Sequence, residues 1–344
     1  MLNFCIFMPL HGAYEMQSWI YLPLLLLCTL VSGEELQYKL GQGLKLDDML
    51  TIGGYISSEY EHAKKEESVK IDDLALIAYG NMGESFSYLT ELEAINFYTY
   101  DMEQHQSETN KKFHIERLYV DYASSDIFKL RAGKFITPVG YWNLEPINVL
   151  RDTTSNPIYA SSMIPRFVTG VNFHGYLPFD DTAQYYLFGQ KTEDFDEEYI
   201  NIKNEHFFGA GIAKEMSGEW HVGASAGEFI TLDKEHFYFL QANTKYESYP
   251  FKIMAEAIYR TSKDTRENSS YAAYVQGHYN FNLEHMLVSR VEAYKEENIS
   301  DGSEELFLLG YSYRPIYPVS IKAEYQWHSI AKKDRFVASF SVLF

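Results

Sequence analysis

The stretch RFVASFSVLF, residues 335–344, decides how this chain is read. Counting back in twos from the end gives Phe344, Val342, Phe340, Ala338 and Phe336; the residues between are Leu343, Ser341, Ser339 and Val337. Period-two alternation belongs to a strand whose two faces meet different surroundings. Terminal residues usually fray. An alternating strand that runs to a last aromatic therefore implies a neighbour that holds it.

The same pattern recurs upstream. SIKAEYQW (320–327) sets Ile321, Ala323, Tyr325 and Trp327 against Ser320, Lys322, Glu324 and Gln326. YVQGHYNF (274–281) sets Val275, Gly277, Tyr279 and Phe281 against Tyr274, Gln276, His278 and Asn280. Segments of this kind, each closed by a turn, predict about sixteen strands. They fall near 50–63, 68–80, 86–100, 113–123, 127–136, 167–177, 183–191 and 205–214, then 220–231, 236–246, 251–261, 270–281, 286–295, 305–314, 319–328 and 335–344.

One apolar and one polar face fits a soluble sandwich or a membrane barrel, which are inside-out versions of each other. The links separate them. After even-numbered strands they are short: NMGES, SSD, PFDDT, EMSGE, ESYP, NLEH and PIYP. After odd-numbered strands they are mostly longer and charged, as in DMEQHQSETNKK, KTEDFDEEYINIKN and KEENISDGSEE, with LDKE a mild exception. Turns on one rim and loops on the other are expected of a closed antiparallel transmembrane β-barrel. A sandwich has no reason to sort links by parity. Tyr249, Tyr279, Tyr313, Tyr317 and Trp327 fall near strand ends, where an interfacial girdle would sit.

Composition agrees. The 344 residues include 29 Tyr and 23 Phe, too aromatic for an ordinary soluble domain, and carry a formal charge of -19, which argues against nucleic acid as a partner. Both cysteines, Cys5 and Cys28, lie near the N-terminus, so the rest can form no disulfide framework or thiolate site. Residues 1–33 read as an N-terminal extension and a signal peptide. The apolar run Trp19–Val31 is too short for a comfortable span, and Val31, Ser32 and Gly33 suit cleavage. The barrel is then expected over 34–344.

LRAGKFITPVGYWN (130–143) resembles the GxFxxPxG stretch of the phosphate-selective porin O/P-like family of Gram-negative bacteria, with Gly133, Phe135, Pro138 and Gly140 at the matching positions. LDDMLTIGGYISSEY (46–60) resembles the first-strand region of the same group. The resemblance implies a porin in the cell outer membrane, surrounded by lipid and lipopolysaccharide, that passes small solutes or ions, and it brings a homotrimer into consideration. The last strand resembles the signal read by the barrel assembly machinery, carried by Phe336, Phe340, Val342 and Phe344. Anion-selective members have a ladder of Arg and Lys down the pore. This chain offers only scattered candidates, so phosphate selectivity does not carry over.

General porins fold their long third loop into the lumen. Here the third outward link, 137–166, is the longest and is poorly charged, holding only Glu145, Arg151 and Asp152 between Thr137 and Pro165. Its Trp142, Leu144, Ile147, Val149, Leu150, Ile158, Tyr159 and Met163 want burial, so an inward fold is expected. Alternation puts Arg117, Asp121, Lys129, Arg131, Glu256, Arg260, Arg290, Glu292, Lys322 and Glu324 on the lumen face. The expectation is a pore whose loop charges face basic wall residues such as Arg117 and Arg131, and in which Glu324 meets lumen water.

No cofactor or metal site is expected. The histidines show no H-x-x-x-H spacing, and the acidic runs EDFDEE (193–198) and EENISDGSEE (296–305) read as solvated loop. The chain reads as a channel and not an enzyme. The alternatives are a surface hydrolase, which would need a histidine beside an outward serine such as Ser289, and a plugged structural or binding barrel.

Overall fold

The computed structural model describes residues 37–344 apart from 65, 197–200, 264–268, 297–301 and 331–332; the expected signal peptide lies outside the described residues. Sixteen strands form a closed antiparallel barrel. They are β1 (Thr51–Ala63), β2 (Glu66–Met82), β3 (Phe86–Asp101), β4 (His114–Ala123), β5 (Lys129–Ile136), β6 (Phe167–Leu177), β7 (Asp180–Gln190) and β8 (Asn204–Ser217). The second half holds β9 (Trp220–Thr231), β10 (His236–Ser248), β11 (Phe251–Ser262), β12 (Ser269–Asn280), β13 (His285–Lys295), β14 (Glu304–Ile316), β15 (Val319–His328) and β16 (Arg335–Leu343). Each pairs with the next, and β16 returns to β1, with Arg335 opposite Ala63 and Leu343 opposite Tyr55. The terminal residue extends this seam: Phe344 N donates to Gly54 O (2.8 Å), and Gly54 N donates to Phe344 O (2.9 Å).

The two faces are inverted relative to a soluble core. On β15, Lys322, Glu324 and Gln326 are buried, while Ile321, Tyr325 and Trp327 are exposed. On β12, Gln276 and His278 are buried, while Val275 is 54% exposed. Leu240, Val291, Leu309 and Phe340 continue an apolar exterior of a size that water does not tolerate but lipid does. Aromatics bracket it. At the short-turn rim Trp220 packs on Tyr246 (4.8 Å between centroids) and Phe251 on Tyr279 (5.3 Å). At the long-loop rim Phe307 stacks on Trp327 (5.3 Å).

Strand positions follow the sequence reading closely, with shifts at the ends. β2 begins at Glu66 rather than 68, because Glu66 and Glu67 keep pairing with Ala63 and His62. The first long-rim link therefore shrinks and joins 232–235 as an exception to the parity rule. Gln37–Lys39 and Gly43–Lys45 pair as a short hairpin, and Leu44 and Lys45 join β1 at Ile52 and Thr51. The link after β3 carries another short strand, Gln106–Thr109, which folds back on Tyr98–Asp101.

Candidate functional site

The lumen is occupied by the segment 137–166. Its neck is tied, with Thr137 N bonded to Arg166 O (2.9 Å) and Thr137 Oγ1 to Pro165 O (2.7 Å). Between these ends the chain makes only one turn of 3-10 helix, Trp142–Leu144, and one short helix, Ile158–Ser162. Most of its backbone groups therefore have no secondary structure to satisfy them, and burial without partners would be costly.

Wall charges supply those partners. Glu256 on β11 accepts from Tyr141 N (2.8 Å) and Trp142 N (2.9 Å). Glu324 on β15 accepts from Thr154 N (2.9 Å) and Ser155 N (3.0 Å). Glu292 on β13 accepts from Ile158 N (2.9 Å). Cations meet the carbonyls. Lys322 Nζ donates to Asn148 O and Asn148 Oδ1, both at 2.6 Å. Arg290 reaches Ser155 O (3.1 Å) and Thr153 Oγ1 (3.0 Å), while its Nε bonds Glu292 (2.7 Å). Arg260 donates to Ser162 O (3.0 Å) and pairs with Glu296 (2.7 Å). Arg314 donates to the carbonyls of Val149, Leu150 and Arg151. Charged groups make the stronger hydrogen bonds, and a buried charge persists only when so matched.

Gly140 permits the closest approach. It has φ +79°, and a Cβ there would collide with Glu256 Oε2 and the Tyr159 hydroxyl. Beyond it the loop builds an apolar core. Trp142, Tyr159, Met163 and Ile164 pack with inward Phe188, Phe207, Phe229, Phe237 and Phe239. Ile147 and Val149 pack on Tyr55, Ala75 and Ile77 of β1 and β2.

The three loop charges separate. Asp152 pairs with Lys252 (2.8 Å), not with Arg117 or Arg131. Burial would raise its carboxyl, but the neighbouring cations, Lys252 first, outweigh this and hold it at about 2. Arg151 is buried, and its Nε donates to Glu145 O (2.7 Å). Glu145 itself is exposed. On the wall, Arg131 forms a two-point pair with Asp121 (2.7 and 2.8 Å), Arg117 pairs with Glu91, and Lys129 lies 3.7 Å from Asp126.

Several residues here escaped the sequence reading. The acidic run 193–198 is expected to be solvated loop, but its described part, 193–196, turns inward. Asp194 pairs with buried Lys134 (2.8 Å) and accepts from Thr169 Oγ1 (2.6 Å); Asp196 meets His114 Nδ1 (3.1 Å) and Ile115 N (2.8 Å). Asn201 accepts from Arg166 N (2.8 Å) and donates to Ile164 O (2.9 Å), tying the two loops together.

Two cavities flank the first leg of the long loop. One of about 330 Å³, toward the short-turn rim, includes Lys129, Arg131, His174, Tyr141 and Leu144 in its lining. The other, of about 170 Å³, lies between the two inward loops and is lined by Trp142, Asn143, Arg151, Asn156, Arg166 and Asn201, together with Ala160 and Ser161.

The closed sixteen-strand barrel has known structural counterparts. No family model matches the chain. No curated protein matches it by sequence. Solved structures do. OmpF of Salmonella typhi, in complex with daunomycin, superposes with a TM-score of 0.61 at 13% identity, over 90% of this chain and 100% of that one. The outer membrane channel DcaP of Acinetobacter baumannii gives 0.60 at 13%, over 88% and 100%. An anion-selective porin from Comamonas acidovorans gives 0.61 at 9%, over 86% and 99%. The barrel has the porin fold. The GxFxxPxG residues take up local positions within it. Gly133 (φ +129°) lies where β5 crosses the β4 backbone too closely for a side chain, Phe135 is buried, and Pro138 and Gly140 open the long loop.

Proposed function

We propose that this protein is a porin of a Gram-negative outer membrane, passing small hydrophilic solutes or ions by passive diffusion. One observation carries the reading: an apolar exterior encloses an interior in which charged wall residues hold a loop, with cavities of about 330 and 170 Å³ left beside it. A protein needs no such inversion unless lipid lies outside and water within. The candidate lining of the narrow part is Glu145, Arg151 and Arg166, with Arg131 and Lys129 on the far side of the partition. The remaining wall charges, Glu256, Arg260, Arg290, Glu292, Lys322 and Glu324, act on solutes indirectly, by fixing the loop.

Membership of the phosphate-selective porin-like family belongs to this proposal and rests on the GxFxxPxG match. So do a homotrimeric state, contacts with lipopolysaccharide, and recognition of Phe336, Phe340, Val342 and Phe344 by the assembly machinery. The hydrolase alternative finds little support at Ser289, whose cross-strand neighbours are Gly277 and Leu309. Reconstitution into planar bilayers tests the main reading. Discrete conductance steps from the folded protein are expected; a folded protein that carries no current would overturn it.

A further inference from the structure

The smaller cavity lies between two loops that Asn201 ties together inside the barrel. Arg151 reaches it from the long loop. Its side chain is more than nine-tenths buried, and its Nε is taken by Glu145 O. Among the described residues, its terminal nitrogens have no hydrogen bond and no ion pair. Arg166 reaches the same cavity from the end of that loop, with Nη2 on Glu116 (3.2 Å) and its guanidinium over Phe167. Asn156, whose side-chain oxygen accepts from Trp142 Nε1 (3.1 Å), also lines the cavity. A buried guanidinium with no direct ion pair, reached by Asp73 and Glu116 only at longer range, is an expensive arrangement to keep. Here it sits in a space open enough for a small ion.

We propose that this cavity is a docking point for small carboxylate anions, held between Arg151 and Arg166 on their way through the barrel. The inference rests on the porin reading and adds a solute class to it. Guanidinium is planar and presents paired donors that match a carboxylate. The Trp142 indole beside it, and the small volume, suit a solute of few heavy atoms.

The acids nearby set the affinity rather than the sign. Glu116 and Glu93 share the Tyr55 hydroxyl (3.1 and 2.8 Å), Glu91 pairs with Arg117, and Asp73 accepts from Ser57 (2.8 Å). None of these carboxylates lines the cavity. A solute meets the guanidinium groups first and feels the carboxylates behind them. That weakens its hold, as a conducting site requires: a solute must enter, and it must also leave.

The test uses the full chain, reconstituted in planar bilayers in chloride salt, with sodium acetate or inorganic phosphate added. Acetate should reduce chloride current in a saturable way and at lower concentration than phosphate. Arg151→Gln should raise the half-blocking acetate concentration about tenfold, the loss of one charged hydrogen-bond partner. Arg151→Lys should keep part of the block. Heat-modifiable mobility checks that each variant is folded. If no current flows at all, the porin reading fails, and acetate titration of the detergent-solubilised protein by calorimetry then decides the site alone. Cation preference, block unchanged in folded Arg151→Gln, or tighter block by phosphate would overturn the carboxylate assignment.

Discussion

Lys322 and Asn148 are separated by most of the barrel in sequence, yet Lys322 Nζ lies 2.6 Å from both the carbonyl and the side-chain oxygen of Asn148. The same ammonium also reaches Arg151 O (3.2 Å) and Thr153 O (3.3 Å). One buried cation thus gathers a turn of the loop that has no helix or ladder of its own. Lys322→Met should leave Thr153 O without its donor and Asn148 O with only the longer bond from Arg151 N, at about 1–3 kcal/mol for each group left unsatisfied, while Arg151 O keeps Arg314 and Asn148 Oδ1 keeps Ser341. A lower thermal midpoint in detergent and faster proteolysis within 142–160 are expected. A midpoint equal to wild type would show that the loop is held elsewhere.

Gly140 and Gly83 allow a matched comparison. Both have positive φ, +79° and +78°, but an added Cβ at 83 meets nothing within 4 Å, whereas at 140 it meets Glu256 and Tyr159. Gly83→Ala should cost only the backbone term, about 1 kcal/mol. Gly140→Ala should cost clearly more and should also alter conductance, because it pushes the first leg off the wall. Equal losses in unfolding experiments would mean that the close approach at Glu256 is not part of the stability.

Ala323 and Glu324 are adjacent and point to opposite sides. Ala323→Arg would put a charge among lipid-facing neighbours and should cost about 2–4 kcal/mol near the midplane. The sequence suggested that Glu324→Arg would be tolerated in lumen water. The structure corrects this: Glu324 is buried and holds the amides of Thr154 and Ser155. Both substitutions should reduce stability, and only Glu324→Arg should also increase loop cleavage. Loop cleavage in Ala323→Arg alone would contradict the assignment of faces.

The contrast at Glu324 shows where sequence reasoning reaches its limit. Which face a strand residue occupies follows from alternation, because lipid and lumen demand opposite chemistry at every second position. That is why strand positions and the inward set, Glu256, Arg290, Glu292 and Lys322 among them, could be read directly. What each inward charge touches depends on how the loop lies across the wall, and no local pattern encodes that. Arg166 was missed because it follows Pro165 at a strand start and looks like a rim residue. Asp194 and Asp196 were missed because an acidic run usually marks solvent, and only the barrel brings Lys134 and His114 to meet them.

Phe344 closes the seam through two backbone hydrogen bonds with Gly54, and its ring lies where a Cβ on Gly54 would touch it. Removing Phe344 takes away both bonds and the aromatic that directly follows β16. The folded, heat-modifiable form should fall in membranes of producing cells, and Phe344→Tyr should restore most of it. Normal levels of the truncated protein would separate the terminal residue from assembly.

Replacing residues 142–160 with a short Gly-Ser link should move two measurements in opposite directions. The loop forms the partition between the two cavities, so its removal should raise single-channel conductance. The same segment covers Phe188, Phe207, Phe229 and Phe239 on the inner wall and gives Glu256, Glu292, Glu324, Arg290 and Lys322 their partners. Without it the charges rehydrate at modest cost, but the phenylalanines face water, at about 1.5–3 kcal/mol for each fully exposed ring. The thermal midpoint should therefore drop while current rises. The tied neck, Thr137 to Arg166, leaves the strands β5 and β6 able to pair, so the barrel should still close. A folded variant with unchanged conductance would mean that solutes do not pass the loop, and the constriction would have to be sought at the long-loop rim, where Asp194 and Asp196 turn inward.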